Sequence, residues 1–209
     1  MIIGSDLIYF KELPSTNSYA SELLKEKYPE EGTVIHTDFQ TAGRGQKGNT
    51  WESLNGKNLL ISIILYPDSV PANEQFLISM AVSLGICDFI DRYLFGRARI
   101  KWPNDIYISN DKIAGILIEC SLMGEKIENC ITGIGLNINQ ESFPDVLRKV
   151  TSLKLQKHKD FDREICLNQL LKDIDDRYKK LLYGDRALIH SEYIARLYKI
   201  GKKHLFSSS

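Results

Sequence analysis

The chain of 209 residues is short of several things, and each shortage excludes a class of protein. It has no Cys-x-x-Cys pair. Cys87, Cys120, Cys130 and Cys166 are widely spaced, which argues against a zinc site; they read as small buried apolar residues in a reducing cytosol. His36, His158, His190 and His204 form no metal-ligand pattern with them, so no metal site is assigned. Net charge is lacking too: 27 Lys and Arg balance 27 Asp and Glu, without the basic excess that marks a nucleic-acid binder. No apolar run approaches the ~20 residues of a membrane span. Met1 to Asp6 carries neither a basic segment nor a long apolar one, so no signal peptide is visible and a cytoplasmic protein is expected. No internal repeat or low-complexity segment precedes the terminal Ser207-Ser208-Ser209. What remains, 43% hydrophobic and 26% charged, is the make-up of a globular domain.

Strand and helix signals alternate along the chain. Leu7 to Phe10 reads as a strand. The turn Leu13-Pro14-Ser15-Thr16-Asn17 follows, with Ser15 or Thr16 as N-cap of a helix that aligns Tyr19, Leu23 and Leu24. Thr33 to Gln40 and Asn58 to Tyr66 are strands, and Pro71 to about Tyr93 a long helix. Next come extended Arg99 to Trp102, a strand at Ile106 to Ile108, a turn at Ser109-Asn110-Asp111, and strands at Lys112 to Cys120 and Lys126 to Asn139. Asp162 to Tyr183 is an amphipathic helix with Asp162 as N-cap and Gly184 as C-cap, and Ser191 to Tyr198 a last short helix. Residues 1–200 are read as one domain. Gly201 to Phe206 resembles the start of something further, so 201–209 is either a natural tail or the first residues of a small C-terminal domain.

The densest signal is the loop Thr41 to Trp51, TAGRGQKGNTW. Gly43, Gly45 and Gly48 free backbone N–H groups to face a ligand. Arg44 and Lys47 add charge for phosphate or carboxylate, and Trp51 offers a flat face for a ring. The glycines satisfy G-x-G-x-x-G, but a dinucleotide site needs a helix directly after them, and Asn49 to Lys57 has no helical period. A strand–loop–strand setting also suits a kinase glycine loop, yet the chain has no His-Arg-Asp or Asp-Phe-Gly. Taken alone, the loop reads first as a mobile glycine hairpin with a structural Trp. Elsewhere, Ser15 and Thr16 offer hydroxyls at a helix start. Gln40 ends a strand with an amide that donates and accepts. Lys112 opens an apolar strand beside Gly115, and Gly133 and Gly135 lie inside another, where glycine weakens a strand unless a ligand or backbone approaches closely.

Each of these signals is weak alone, but PSTN, QTAGRGQKGNTW, KWPND, KIAGILIE and GIGLNIN in this order resemble the catalytic domain of the biotin protein ligases, from about Leu7 to Asn139. The resemblance implies an α+β fold: a mixed, largely antiparallel sheet with packed helices, related to the catalytic domain of class II aminoacyl-tRNA synthetases. It implies that biotin and ATP, the latter with Mg2+, give biotinyl-AMP, and that biotin passes to a lysine of a biotin carboxyl-carrier protein. By the same resemblance Lys112 and Arg44 are catalytic. Ser15, Thr16, Gln40, Gly43, Arg44, Gly115 and Gly133 hold biotin. Gly45, Gln46, Lys47, Gly48, Trp51, Asn104, Lys112 and Asn137 hold ATP or the adenylate, and Asp105 helps order ligand and metal-bound phosphates.

Two departures from the family pattern stand out. The motifs begin within the first fifteen residues, so the short, non-repressing form is expected: no DNA partner, no membrane, a homodimer left open. Where many members carry an Arg, this chain has Gln46; either Arg44 makes that ionic contact or the intermediate is held less tightly. The alternatives to a biotin ligase are a lipoate–protein ligase-like enzyme and a non-catalytic biotin-binding protein.

Overall fold

The computed structural model describes residues 1–144 and 149–201. The expectation for 201–209 therefore falls, from residue 202 onward, outside the described residues. Among those described, a seven-stranded sheet runs in the order β1-β2-β3-β7-β6-β5-β4. The strands are β1 (Leu7–Leu13), β2 (Val34–Gln40), β3 (Leu59–Leu65), β4 (Ala98–Lys101), β5 (Asp105–Ile108), β6 (Asp111–Met123) and β7 (Lys126–Leu136). β1 and β2 pair in parallel, and every other neighbouring pair is antiparallel. The mixed, largely antiparallel sheet expected from the resemblance is the one observed.

The helices divide unequally between the two faces. On one face Val34, Ile61, Ile63 and Leu65 share a core with α2 (Phe76–Leu94), α4 (Arg163–Leu182) and α5 (Arg186–Ala195). On the other, Ile35, Ile64 and Ile131 lie against Ala20 and Leu23 of α1 (Thr16–Glu26). β3, LLISIIL, is buried at all seven positions, because a strand covered on both faces needs apolar residues at both parities. α1 covers only part of its face, and the uncovered remainder is where the glycines of β6 and β7 gather.

Helix starts match the sequence where caps are strong. Ser15 accepts from the N–H of Ser18, and Asp162 from the N–H groups of Glu164 and Ile165. Other boundaries differ. Tyr183, not Gly184, caps α4; Gly184 follows it with φ +100°, the left-handed conformation that glycine favours. The last helix is Arg186–Ala195 rather than Ser191 to Tyr198. Past it, Arg196 to Tyr198 runs beside β4, where Ile100 N–H donates to Arg196 O (2.9 Å) and Tyr198 N–H to Ile100 O (2.7 Å). α2 starts at Phe76, after a 3-10 turn at Ala72–Glu74. α3 (Leu153–Lys157) has too few residues to show a period.

The cysteine reading needs correction. Cys120 and Cys130 form a disulfide, because the β6–β7 hairpin sets them directly opposite each other. Cys87 and Cys166 are free and buried, as expected, and burial pushes the Cys87 thiol up to about 12.

α2 and α4 pack closely at Gly85, where an added Cβ would lie 2.6 Å from Ile174 Cα. In an exposed helix Gly→Ala stabilises by about 1 kcal/mol. Here the new methyl meets backbone rather than a side chain that can turn away, and overpacking costs about 1–3 kcal/mol. Gly85→Ala should therefore lower the urea midpoint; a raised midpoint would show that α4 moves aside freely.

Candidate active site

The uncovered part of the α1 face is a cavity of about 350 Å³. Its floor is glycine. Gly115 of β6 pairs directly with Gly135 of β7, and Gly133 follows on the same face. The Trp51 indole lies on this floor. A Cβ on Gly115 would stand 2.8 Å from Trp51 Cζ3, and one on Gly135 would overlap Cε2 and reach within 2.6 Å of Nε1. A Cβ on Gly133 would overlap Asn17 Oδ1. The close approach expected at these glycines is thus made, in the structure itself, by Trp51 and Asn17. Trp51 Nε1 is buried and has no partner among the described residues.

At one end of the cavity a polar network joins α1 to the sheet. Gln40 Oε1 accepts from Thr16 N–H (2.7 Å) and lies 3.1 Å from Thr16 Oγ1. Ser62 Oγ is 2.7 Å from Thr16 Oγ1 and 2.6 Å from Asn17 Oδ1. A hydroxyl has one proton and an amide oxygen only accepts, so Ser62 donates to Asn17, and the single Thr16 proton serves either Ser62 or Gln40 Oε1. Asn17 Nδ2 in turn donates to Glu119 Oε2 (2.8 Å) and to Leu117 O (3.2 Å). Ser15 and Gln40 satisfy N–H groups at the start of α1 and also line the cavity.

Both lining cations whose side chains are described are paired with carboxylates. Lys112 Nζ lies 2.7 Å from Asp105 Oδ1 and 5.3 Å from the centre of the Trp51 ring. Arg44 forks onto Glu119, Nη1 to Oε2 at 3.1 Å and Nη2 to Oε1. The loop carrying Arg44 closes on itself: Gly45 N–H donates to Asn49 O (2.7 Å) and Trp51 N–H to Gly43 O (3.0 Å). A 3-10 turn spans Gln46–Gly48.

Most residues singled out from sequence meet here. Ser15, Thr16 and Gln40 line the cavity together with Arg44, Gly45, Gln46 and Trp51. Asn104, Asp105, Lys112, Gly115 and Gly133 complete it; Asn104 is fixed by Nδ2 donating to Ile116 O (2.9 Å). Gly43 and Gly48 face an adjoining hollow beyond the loop, shared with Arg44 and Glu119. The Lys47 side chain lies outside what is described. Asn137 is buried behind the cavity and donates to Thr151 O (3.1 Å). Sequence reasoning passed over Ser62, gave Asn17 and Glu119 no role, and marked Gly135 only as a place of close approach. A lone hydroxyl in the apolar run of β3 was the signal available for Ser62.

The family model described as the biotin/lipoate A/B protein ligase family matches residues 9–137. The bifunctional ligase/repressor BirA of Bacillus subtilis is 35% identical over 181 residues, 85% of this chain and 55% of that one. The biotin–[acetyl-CoA-carboxylase] ligase of Mycobacterium tuberculosis is 28% identical over 179 residues, covering 83% and 64%. The chain thus spans about half the length of the Bacillus relatives it matches. Among solved structures, the biotin protein ligase of Aquifex aeolicus in complex with biotin and ATP superposes with a TM-score of 0.82 at 30% identity, covering 95% of this chain and 81% of that one.

The floor can be tested directly. Gly135 has ordinary strand backbone, since it is absent from the positive-φ glycines, so Gly135→Ala adds a methyl without conformational penalty. That methyl must displace the indole. In a Trp102→Phe background, where Trp51 is the remaining tryptophan, Gly135→Ala should shift the emission maximum to longer wavelength. An unchanged spectrum would mean that the ring does not rest on Gly135.

Proposed function

The chain belongs to the biotin/lipoate A/B protein ligase family, and from this premise we propose that it activates biotin with ATP and transfers it to a lysine of a carboxyl-carrier protein. The observation that carries the reading is the cavity itself. Hydroxyls and an amide line it at the start of α1, Lys112 stands over an indole that lies on a floor without side chains, and Arg44 reaches it from the glycine loop on the side of Asn17 and Glu119.

The order of groups suits the reaction. The ureido ring of biotin is neutral and needs both donors and acceptors, which Ser15, Thr16 and Gln40 supply. In the first step the biotin carboxylate attacks the α-phosphorus of ATP and pyrophosphate leaves. Both reactants are anions, so fixed positive charge must offset their repulsion. Lys112 and Arg44 provide it: Lys112 at the junction of carboxylate and α-phosphate, Arg44 from the loop above. Trp51 supports the adenylate, and Asn104 orders it. In the second step the amine of the carrier lysine attacks the acyl carbon, AMP leaves with the mixed-anhydride oxygen, and the nitrogen sheds a proton as the amide forms.

Magnesium enters with ATP as part of the substrate, held by phosphates and water. No group of three His, Cys, Asp or Glu able to hold a metal ion is found among the described residues. No described helix is long and apolar enough to cross a membrane.

The test is ATP–pyrophosphate exchange with biotin or lipoate as the acid, followed by mass spectrometry of a carrier domain. Biotin-dependent exchange and a biotinylated lysine are expected. Exchange with lipoate alone would make this a lipoate ligase, and biotin binding without exchange a non-catalytic binder. Lys112→Ala should cut biotin-dependent exchange by about 10²–10³-fold, while the melting temperature moves little. Wild-type exchange in the folded variant would remove Lys112 from the chemistry.

A further inference from the structure

Glu119 is an acid in the hollow that adjoins the cavity. It stands behind Arg44 and takes the end-on edge of the guanidinium through both oxygens. The pair contributes little to the fold: the two side chains are 45% and 36% exposed, and pairs that exposed to water are weak. Its other tie is to the site. Asn17 Nδ2 holds Glu119 Oε2 at 2.8 Å, and Asn17 is itself fixed over Gly133 and bonded to Ser62. Glu119 is therefore held in place from the binding side, not from the core.

We infer that Glu119 is a specificity-determining residue that competes with the ligand's carboxylate for Arg44. The inference rests on the biotin reading above. Arg44 carries a single charge, and Glu119 occupies its end-on fork. An incoming carboxylate must either displace Glu119 or settle on the side-on edge of an already neutralised pair. In both cases Glu119 weakens the hold on a charged ligand and leaves an uncharged one alone. The same carboxylate keeps Arg44 and its loop beside the cavity, so it lowers affinity for the acid while keeping the cation near the place where it is needed.

The experiment compares biotin with its neutral primary amide, which has the same rings and no carboxylate, by titration calorimetry. Glu119→Gln keeps the side-chain length and still accepts from Asn17, but carries no charge. Biotin should bind about three- to fivefold more tightly to Glu119→Gln than to wild type, the scale of an exposed charge pair, and the amide within twofold of wild type. Glu119→Ala should move in the same direction. In an Arg44→Ala background the gain should vanish, because the two residues act through one contact. Weaker biotin binding by Glu119→Gln, an equal change for both ligands, or a gain that persists without Arg44 would each overturn the inference. The first would make Glu119 an orienting post for Arg44, the second a structural residue, and the third a source of direct repulsion. A wild-type protein that binds neither ligand would instead overturn the biotin reading, and this inference with it.

Discussion

The close packing of an indole against backbone is the contact on which the rest of the site depends. β6 and β7 are long neighbouring strands in a sheet whose other face is a continuous core, so side chains at this point would fill the space above it. Glycine at 115 and 135, paired across the two strands, removes them and lets Trp51 lie flat on the sheet. Lys112 comes over the ring because the β5–β6 register shifts between Ile106, opposite Ala114, and Tyr107, opposite Lys112, an irregularity that offsets the alternation of β6 and turns Lys112 to the face of Gly115. The glycine loop follows Trp51 back across the cavity and brings Arg44 to Glu119 on the same strand. One missing layer of side chains thus sets the depth of the cavity, the position of the ring and the reach of both cations.

A second constraint comes from the start of α1. A helix N-terminus leaves N–H groups without intrahelical partners, and here Ser15 and Gln40 satisfy them. Those residues cannot be spared for binding alone. Hydrogen bonds run from Gln40 through Thr16, Ser62 and Asn17 to Glu119, so the groups that satisfy the helix start are tied to those along the cavity. Buried chains of this kind hold geometry firmly when every member has a partner.

How much of this could be read beforehand depends on the range of the interaction. β3, the caps at Ser15 and Asp162, and the strand on each side of the glycine loop are local signals, and they appear where expected. The gathering of Thr16, Gln40, Arg44, Trp51 and Lys112 rested on a resemblance rather than on periodicity, and the cavity unites them. What escaped needed register between distant segments. Nothing near Gly135 names Trp51 as its neighbour, and nothing near Cys120 says that a bulge between Ser121 and Leu122 will set it opposite Cys130. Ser62 was overlooked because one hydroxyl hardly disturbs an apolar run. The last helix was placed late because only residues 183–185 separate it from α4, and Asp185 at its N-cap makes no side-chain capping bond.

The full burial of β3 carries a consequence for how binding is felt by the molecule. Amide hydrogens in the best-covered strands exchange with solvent only when the whole domain opens, whereas loops exchange through local fluctuations. Ser62 lies at the middle of such a strand and is bonded directly to Thr16 and Asn17 of the cavity. A ligand held by that network is therefore anchored to the last segment to open, not to a frayed edge. Its binding free energy adds to the global unfolding free energy through mass action, so exchange at residues 61–63 should slow in proportion to ligand occupancy.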